Sequence, residues 1–197
     1  NATIHLPSIA RELGYDLPIE LFDEINHQVP HLGNINPSGT QLTESFWFAG
    51  GVPMVQWMLR DMLDLDVMTV TGKTLGENLE DLHKDNWFER NLGYLHNYGL
   101  ERDQVIFPVE KAPEKGSVAI LKGNIAPEGS VLKYSACAMN QREVVNAKAR
   151  VFNHEEDAHD AVVNNEINPG EIIIIRYEGP RGCGMPEMLM TTDAIVC

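Results

Sequence analysis

Cysteine is scarce in this chain. Cys137, Cys183 and Cys197 are the only three in 197 residues, and no two form a C-x-x-C pair. That excludes a self-contained zinc site and a disulfide framework, and the expected setting is a reducing cytoplasm. Basic residues are also few, 15 Lys and Arg against 29 Asp and Glu, for a formal net charge of -14. Phosphate backbones are held by clustered Lys and Arg, so nucleic acid is excluded as a partner. A small anionic ligand stays open where a metal or local dipoles supply positive charge. No apolar run approaches the roughly 20 residues of a membrane helix, so no membrane partner is expected. Neither an H-E-x-x-H metal motif nor a G-x-S-x-G nucleophile elbow occurs, which removes the familiar zinc-protease and serine-hydrolase readings. No signal peptide is visible and the first residue is Asn1, so the expectation is a processed start or a piece of a longer protein.

What is present is a globular composition, 43% hydrophobic and 22% charged. Periodicity divides the chain in two. Residues 1–103 read as mainly helical. Leu6 to Leu13 forms an amphipathic stretch that Gly14 terminates. Pro18 opens a second helix with Leu21, Phe22 and Ile25 on one face, and Pro30 ends it. Pro53 opens a third, in which Met54, Val55, Met58, Leu59, Met62 and Leu63 recur at three-and-four spacing as a core stripe. Thr74-Leu75-Gly76-Glu77 matches a capping box.

Residues 104–197 read as β-rich, with a boundary in the loop near Asp103 to Lys115. Strands are expected at Ser117–Lys122, Ser130–Ser135, Ala149–Phe152 and Glu171–Tyr177, the last buried on both faces at its centre. One helix is expected over Glu155–Asn164, capped by Asn153 with Glu156 in reply. Short strands between regular turns predict a barrel or sandwich. The fold class is therefore α+β.

Two motifs fall short of chemistry. Thr71-Gly72-Lys73-Thr74 has the end of a P-loop, but Val67 stands where its first glycine is required, so a capped turn is the plainer reading. His27 and His31 are separated by Pro30, which spoils a shared helical face; His154 and His159 flank a helix start and read as surface residues.

One stretch stands out. Arg176-Tyr177-Glu178-Gly179-Pro180-Arg181-Gly182-Cys183-Gly184-Met185-Pro186-Glu187-Met188 follows an apolar strand with three glycines and two prolines in its loop. Such a loop is costly to order, and its glycines let backbone approach a ligand. The Glu187 carboxylate is a hard oxygen ligand of the kind Mg²⁺ selects; equally, it suits a helix N-terminus.

Several segments in order resemble the dihydroxy-acid dehydratase / phosphogluconate dehydratase family. They are Asn1-Ala2-Thr3-Ile4-His5-Leu6, Val29-Pro30-His31-Leu32, Pro37-Ser38-Gly39, Ala49-Gly50-Gly51-Val52-Pro53, Thr69 through Leu75, Ala119 through Asn124, Ala149-Arg150-Val151-Phe152 and Arg176 through Met188. The resemblance covers almost the whole chain. It implies an internal fragment that joins a helical segment of the family's N-terminal α/β domain to part of its C-terminal, swivelling β-barrel domain.

The implied function is a hydro-lyase. It would remove the C2 proton and C3 hydroxyl of a 2,3-dihydroxy acid, branched-chain or sugar acid, and release a 2-keto acid. The implied cofactors are Mg²⁺, with Glu187 as a ligand, and an iron–sulfur cluster, [2Fe–2S] or [4Fe–4S], whose ligands lie mostly outside this chain. Asn1, His5, Gly184 and Met185 are the implied substrate-binding residues. The family's catalytic serine would lie beyond Cys197, and a homodimer or homotetramer is implied.

The sequence departs from the family at Gly33, where a cluster cysteine is frequent, at Trp47, where histidine is frequent, and in the Arg181–Gly184 loop, one residue shorter than usual. These departures lean toward a sugar-acid dehydratase or an uncharacterised branch of the family. Two alternatives stand beside the enzyme: a non-catalytic relative serving as an interaction module, and an unrelated metal-dependent enzyme built on Glu187.

Overall fold

The computed structural model describes residues 2–112, 116–136, 146–185 and 188–196. Asn1, Cys137, Glu187 and Cys197, all named above, lie outside the described residues. The chain divides into two compact units, Glu20–Cys137 and Asn1–Ile19 with Ala138–Cys197. The division anticipated after Asp103 therefore falls inside the first of these.

The Glu20–Cys137 unit is mostly helical. It contains α2 (Glu20–Gln28), α3 (Thr43–Phe48), α4 (Gly51–Met58), α5 (Leu75–Lys84), α6 (Trp87–His96) and α7 (Arg102–Val105). Its core gathers Leu32, Ala49, Met54, Leu59, Phe88, Leu95, Val105 and Ile106, with Leu95, Val105 and Ile106 fully buried. The methionine stripe enters this core only in part. α4 stops at Met58, a short 3-10 turn spans Arg60–Met62, and Met62 is left exposed.

Arg102 binds the core's helix ends together. Its guanidinium donates to the carbonyl oxygen of Ala49 at 3.1 Å, an acceptor that the C-terminus of α3 leaves orphaned, and to that of Phe88, in the first turn of α6, at 3.0 Å. The capping box at α5 forms as the sequence predicts. Glu77 N–H donates to Thr74 Oγ1 at 3.2 Å, and Thr74 N–H donates to Glu77 Oε2 at 2.8 Å. The Lys73 ammonium meets the carboxylate of Asp81, in the middle of α5, so this lysine is engaged by the helix that follows it rather than poised over a phosphate. The unit's strands, β1 (Ala119–Leu121) and β2 (Ser130–Leu132), form an antiparallel pair in which Ile120 faces Val131.

In the second unit, α1 (Ala2–Glu12) ends at Gly14, which sits at φ +80° in the left-handed region. β3 (Ala149–Phe152) and β4 (Ile172–Ile175) pair in parallel, with Ala149 opposite Ile172 and Phe152 opposite Ile175. Parallel neighbours require a crossover, and α8 (Glu155–Val163) supplies it, burying Ala158 and Ala161. A one-turn helix, α9 (Pro180–Cys183), and α10 (Met190–Val196) complete the unit.

Three expectations are corrected here. The described strands make two separate two-stranded sheets, not a closed barrel. β4 is not buried on both faces: Ile172 is exposed and its three successors are half-buried. Asn153 does not cap α8. Its amide oxygen accepts from Arg176 Nε at 2.7 Å, and His154 takes the cap position without a side-chain bond.

The helical unit rests on local caps and one close-packed core. Thr74→Ala is expected to cost about 1 kcal/mol through the lost cap, and Leu95→Ala about 3 kcal/mol through lost burial and the cavity left behind. Equilibrium urea unfolding checks both values and their order.

Candidate functional site

The glycine-rich stretch begins where β4 ends. Arg176 leaves the strand with its guanidinium over the Tyr177 ring, 4.9 Å from the centroid. Tyr177 then adopts φ +68°, an uncommon conformation for a residue with a side chain. The next turn closes tightly. A Cβ on Gly182 would run into the carbonyl oxygen of Tyr177, so only glycine fits. Gly184 follows at φ +86°, ψ -136°, backbone that is accessible in practice to glycine alone.

This turn and α1 line a groove of about 750 Å³ within one unit. From α1 come Ser8, Ile9, Arg11 and Glu12; from the turn come Tyr177, Gly179 to Gly182, Gly184 and Met185. Of the residues implied as substrate-binding, Gly184 and Met185 line this groove. His5 is not among its lining residues. It stands one turn before Ser8 on the same helical stripe, half-buried. Asn1 and the metal candidate Glu187 lie outside the described residues. Ser8, Arg11, Tyr177 and Arg181 were not anticipated. No ion pair among the described residues engages Arg11 or Arg181, so two guanidiniums line one groove in an otherwise acidic chain. That arrangement suits an anion presented to an apolar wall, because guanidinium donors match carboxylate geometry.

Glu178 is the polar anchor of the turn. Its side chain is 13% exposed. Its carboxylate accepts the backbone N–H of Glu155 at 3.2 Å, and His154 Nδ1 lies 3.4 Å away. The Cys183 thiol and then the Glu155 amide hold the Glu178 carboxyl below the ordinary glutamate value. In return, Glu178 pushes the Cys183 thiol upward. Cys183 Sγ also lies 3.6 Å from the carbonyl oxygen of Gly179. A thiol so held is a poorer nucleophile than a free cysteine.

Among the described residues, no three His, Cys, Asp or Glu side chains come together to hold a metal ion. The described residues thus do not by themselves fit the Mg²⁺ or cluster that the resemblance implies. Gly33, where a cluster cysteine is frequent, bridges Ile106 in extended backbone. A Cβ there would meet nothing closer than the Ile35 side chain at 3.6 Å, so packing does not forbid a larger residue. Trp47, at the other departure, packs edge-to-face on Trp87 with centroids 5.7 Å apart.

The polar clasp beneath the parallel pair is Glu171, only 6% exposed, which accepts the Asn168 N–H at 2.9 Å and pairs with Arg150 and Lys148 at 3.4 and 3.6 Å.

A strand–turn–helix unit carrying a groove walled by a glycine-rich turn is the class of protein that these features define. The family models agree on a narrower identity. "Dihydroxy-acid/6-phosphogluconate dehydratase N-terminal" matches residues 1–78 and "Dihydroxy-acid/6-phosphogluconate dehydratase C-terminal" matches residues 104–197. The chain belongs to the dihydroxy-acid/6-phosphogluconate dehydratase family. Among its relatives, a dihydroxy-acid dehydratase of Methanosarcina barkeri is 42% identical over 196 residues, 99% of this chain and 33% of that protein. One of Ignicoccus hospitalis is 44% identical over 202 residues, 100% of this chain and 33% of that protein, and one of Nitratidesulfovibrio vulgaris is 43% identical over 202 residues, 99% and 33%. The chain therefore spans about a third of the length of the curated relatives it matches.

The Asn168 amide, and then Arg150 and Lys148, hold the Glu171 carboxyl below its ordinary value of 4.5. A carboxylate with a depressed pKa adds stability that is present above the unfolded value and lost as pH falls through the folded one. The β3–β4 unit is expected to loosen as pH drops below about 4.5, and Glu171→Gln to flatten that dependence while lowering stability at neutral pH. Amide exchange of the β3 and β4 peptides across an acid titration measures it; equal acid sensitivity in the variant would discard the assignment.

Proposed function

We propose that this chain is the internal third of a hydro-lyase that dehydrates a 2,3-dihydroxy acid to a 2-keto acid. The observation that carries this reading is the match of both family models, in order, along one chain whose relatives at 40–44% identity are named dihydroxy-acid dehydratase. In that reaction the C2 proton leaves, the C3 hydroxyl departs with a proton as water, and the resulting enol tautomerises to the ketone. The proton beside a carboxylate is weakly acidic and hydroxide is a poor leaving group, so both need electrostatic help.

In this reading the groove beside the glycine turn receives the substrate. The open backbone at Gly184 and the Met185 side chain shape its wall, while Arg11 and Arg181 present donors to the carboxylate. His5 and Asn1 border the site from the start of α1. Mg²⁺ and an iron–sulfur cluster belong to the whole protein, with Glu187 as a Mg²⁺ ligand. Their remaining ligands, and the catalytic serine, come from chain beyond these residues. Residues 104–197 open the C-terminal barrel domain, and the whole protein is a cytoplasmic homodimer or homotetramer. The departures at Gly33 and Trp47 keep both branched-chain and sugar acids in play as substrates. Gly33 also supports a second reading, an inactive relative retained for interaction.

Anaerobic expression of the full-length gene, followed by 2-keto acid assay on a panel of branched-chain dihydroxy acids and sugar acids with Mg²⁺, decides between them. Turnover of one class is expected. No product from folded, iron-replete protein would favour the inactive relative. In the active protein, Glu187→Gln is expected to lower kcat/KM by about a hundredfold or more while leaving the fold intact, because it removes one charge from the Mg²⁺ shell. Near-normal turnover with an unchanged Mg²⁺ requirement would reject that role.

A further inference from the structure

The chain from Glu178 to Thr191 leaves β4, makes the glycine turn and returns as α10, and both of its ends are tied to one residue. At the near end, the Glu155 N–H donates to Glu178 Oε1 at 3.2 Å. At the far end, the Thr191 N–H donates to Glu155 Oε1 at 3.2 Å, and Thr191 Oγ1 donates to the Glu155 carbonyl oxygen at 3.4 Å. Thr191 is 4% exposed and Glu178 is largely covered, so these bonds form out of bulk water, where leaving a partner unpaired is costly. Glu155 is the first residue of α8. It therefore stands on the crossover helix packed against β3 and β4, a rigid element, while the turn it holds is built from glycines with little intrinsic preference for one shape.

We infer that Glu155 and Glu178 are positioning residues for the groove. They tie the end of β4 at Glu178 and the start of α10 at Thr191 to one point on α8 and so fix where Gly184 and Met185 stand, without touching the ligand. This inference rests on the groove being the substrate site of the dehydratase proposed above. A plain helix cap would have a different signature: losing it would weaken α8 and the whole unit evenly, without singling out the turn.

The test uses the full-length protein and the variants Glu178→Ala, Glu155→Ala, Glu178→Gln and Thr191→Val. Amide hydrogen exchange, read without substrate, is expected to quicken about tenfold in peptides covering 179–192 in both alanine variants, because local opening there loses a charged hydrogen bond. Peptides from α6 should be unchanged. Glu178→Gln keeps an acceptor oxygen for the Glu155 amide and is expected to stay within about threefold of wild type. With the dihydroxy acid that the wild-type protein turns over, kcat/KM should fall at least about tenfold in Glu178→Ala and recover in Glu178→Gln. If an alanine variant does not fold, Thr191→Val, which removes one hydroxyl, shows the same localised quickening at smaller amplitude.

Exchange that rises evenly through the chain, exchange that stays unchanged over 179–192, or faster exchange with unaltered kcat/KM would each overturn the inference. A wild-type protein with no turnover on the panel overturns the dehydratase reading, and the positioning role with it. The exchange pattern would still decide the clasp by itself.

Discussion

The first amide of α8 is the constraint on which the ligand-facing part of its unit depends. A helix leaves its first N–H groups without partners, and a cap normally supplies one from the residue just before. Here that residue is His154, which contributes no side-chain bond. Glu178 arrives instead from beyond β4 and brings a negative charge to the positive end of the helix dipole. Because the donor and the acceptor come from opposite ends of the βαβ crossover, one hydrogen bond both completes the helix and fixes the start of the glycine turn. The acidic first turn of Glu155, Glu156 and Asp157 adds to the same dipole. Glu155 alone is placed to hold the other end of the segment as well.

This explains which parts of the molecule were legible in the amino-acid order. The Thr74–Glu77 box was readable because its bonds close over three residues, and Gly14 because a left-handed helix end favours glycine. Ala149–Phe152 and Ile172–Ile175 showed as strands through their apolar residues. Their parallel pairing did not show, because pairing depends on where α8 carries the chain. The α8 cap was assigned to Asn153 by proximity. In the fold, Arg176 lies closer to that amide, and the real partner of the helix end is 23 positions away. Arg102, which binds the carbonyls of Ala49 and Phe88, left no local trace either. The site followed the same rule. Gly184 and Met185 are named only through the family resemblance of the glycine-rich stretch, whereas Ser8 and Arg11 line the same groove because α1 lies against the turn.

Charge sharpens that last point. A chain of formal charge -14 repels anions at long range, but salt screens exposed charges over roughly 8–10 Å. Within that distance the local pattern decides, and locally the groove offers Arg11 and Arg181 beside a single acidic residue, Glu12, with no ion pair among the described residues engaging either arginine. Among the described residues elsewhere in the same unit the basic groups are occupied: Arg150 and Lys148 by Glu171, and Arg176 by Asn153. Guanidinium donors outside any ion pair among the described residues, at the groove of about 750 Å³, are thus a local exception to the global charge that suits a carboxylate, while Arg11 also lines a second groove of about 590 Å³ beside Asp16.

The choice between an active enzyme and an inactive relative turns on how two sites differ physically. At Gly33 the missing thiol is not imposed by packing, since a Cβ would find ordinary van der Waals space; the position is silent about whether another residue supplies the lost ligand. At the glycine turn the reverse holds. Tyr177 at φ +68° is a conformation that costs free energy and persists where surrounding bonds over-determine it, while Gly184 at φ +86° and Gly182, where a Cβ would meet the Tyr177 carbonyl, take shapes that only glycine allows. Glu155, Glu178 and Thr191 provide that over-determination. A module kept only for contact with a partner would gain nothing from an arrangement that costs strain to hold open backbone beside a groove, whereas a substrate site gains a preorganised wall. The turn therefore fits the proposed substrate site, while packing at Gly33 leaves room for a larger residue and decides neither reading.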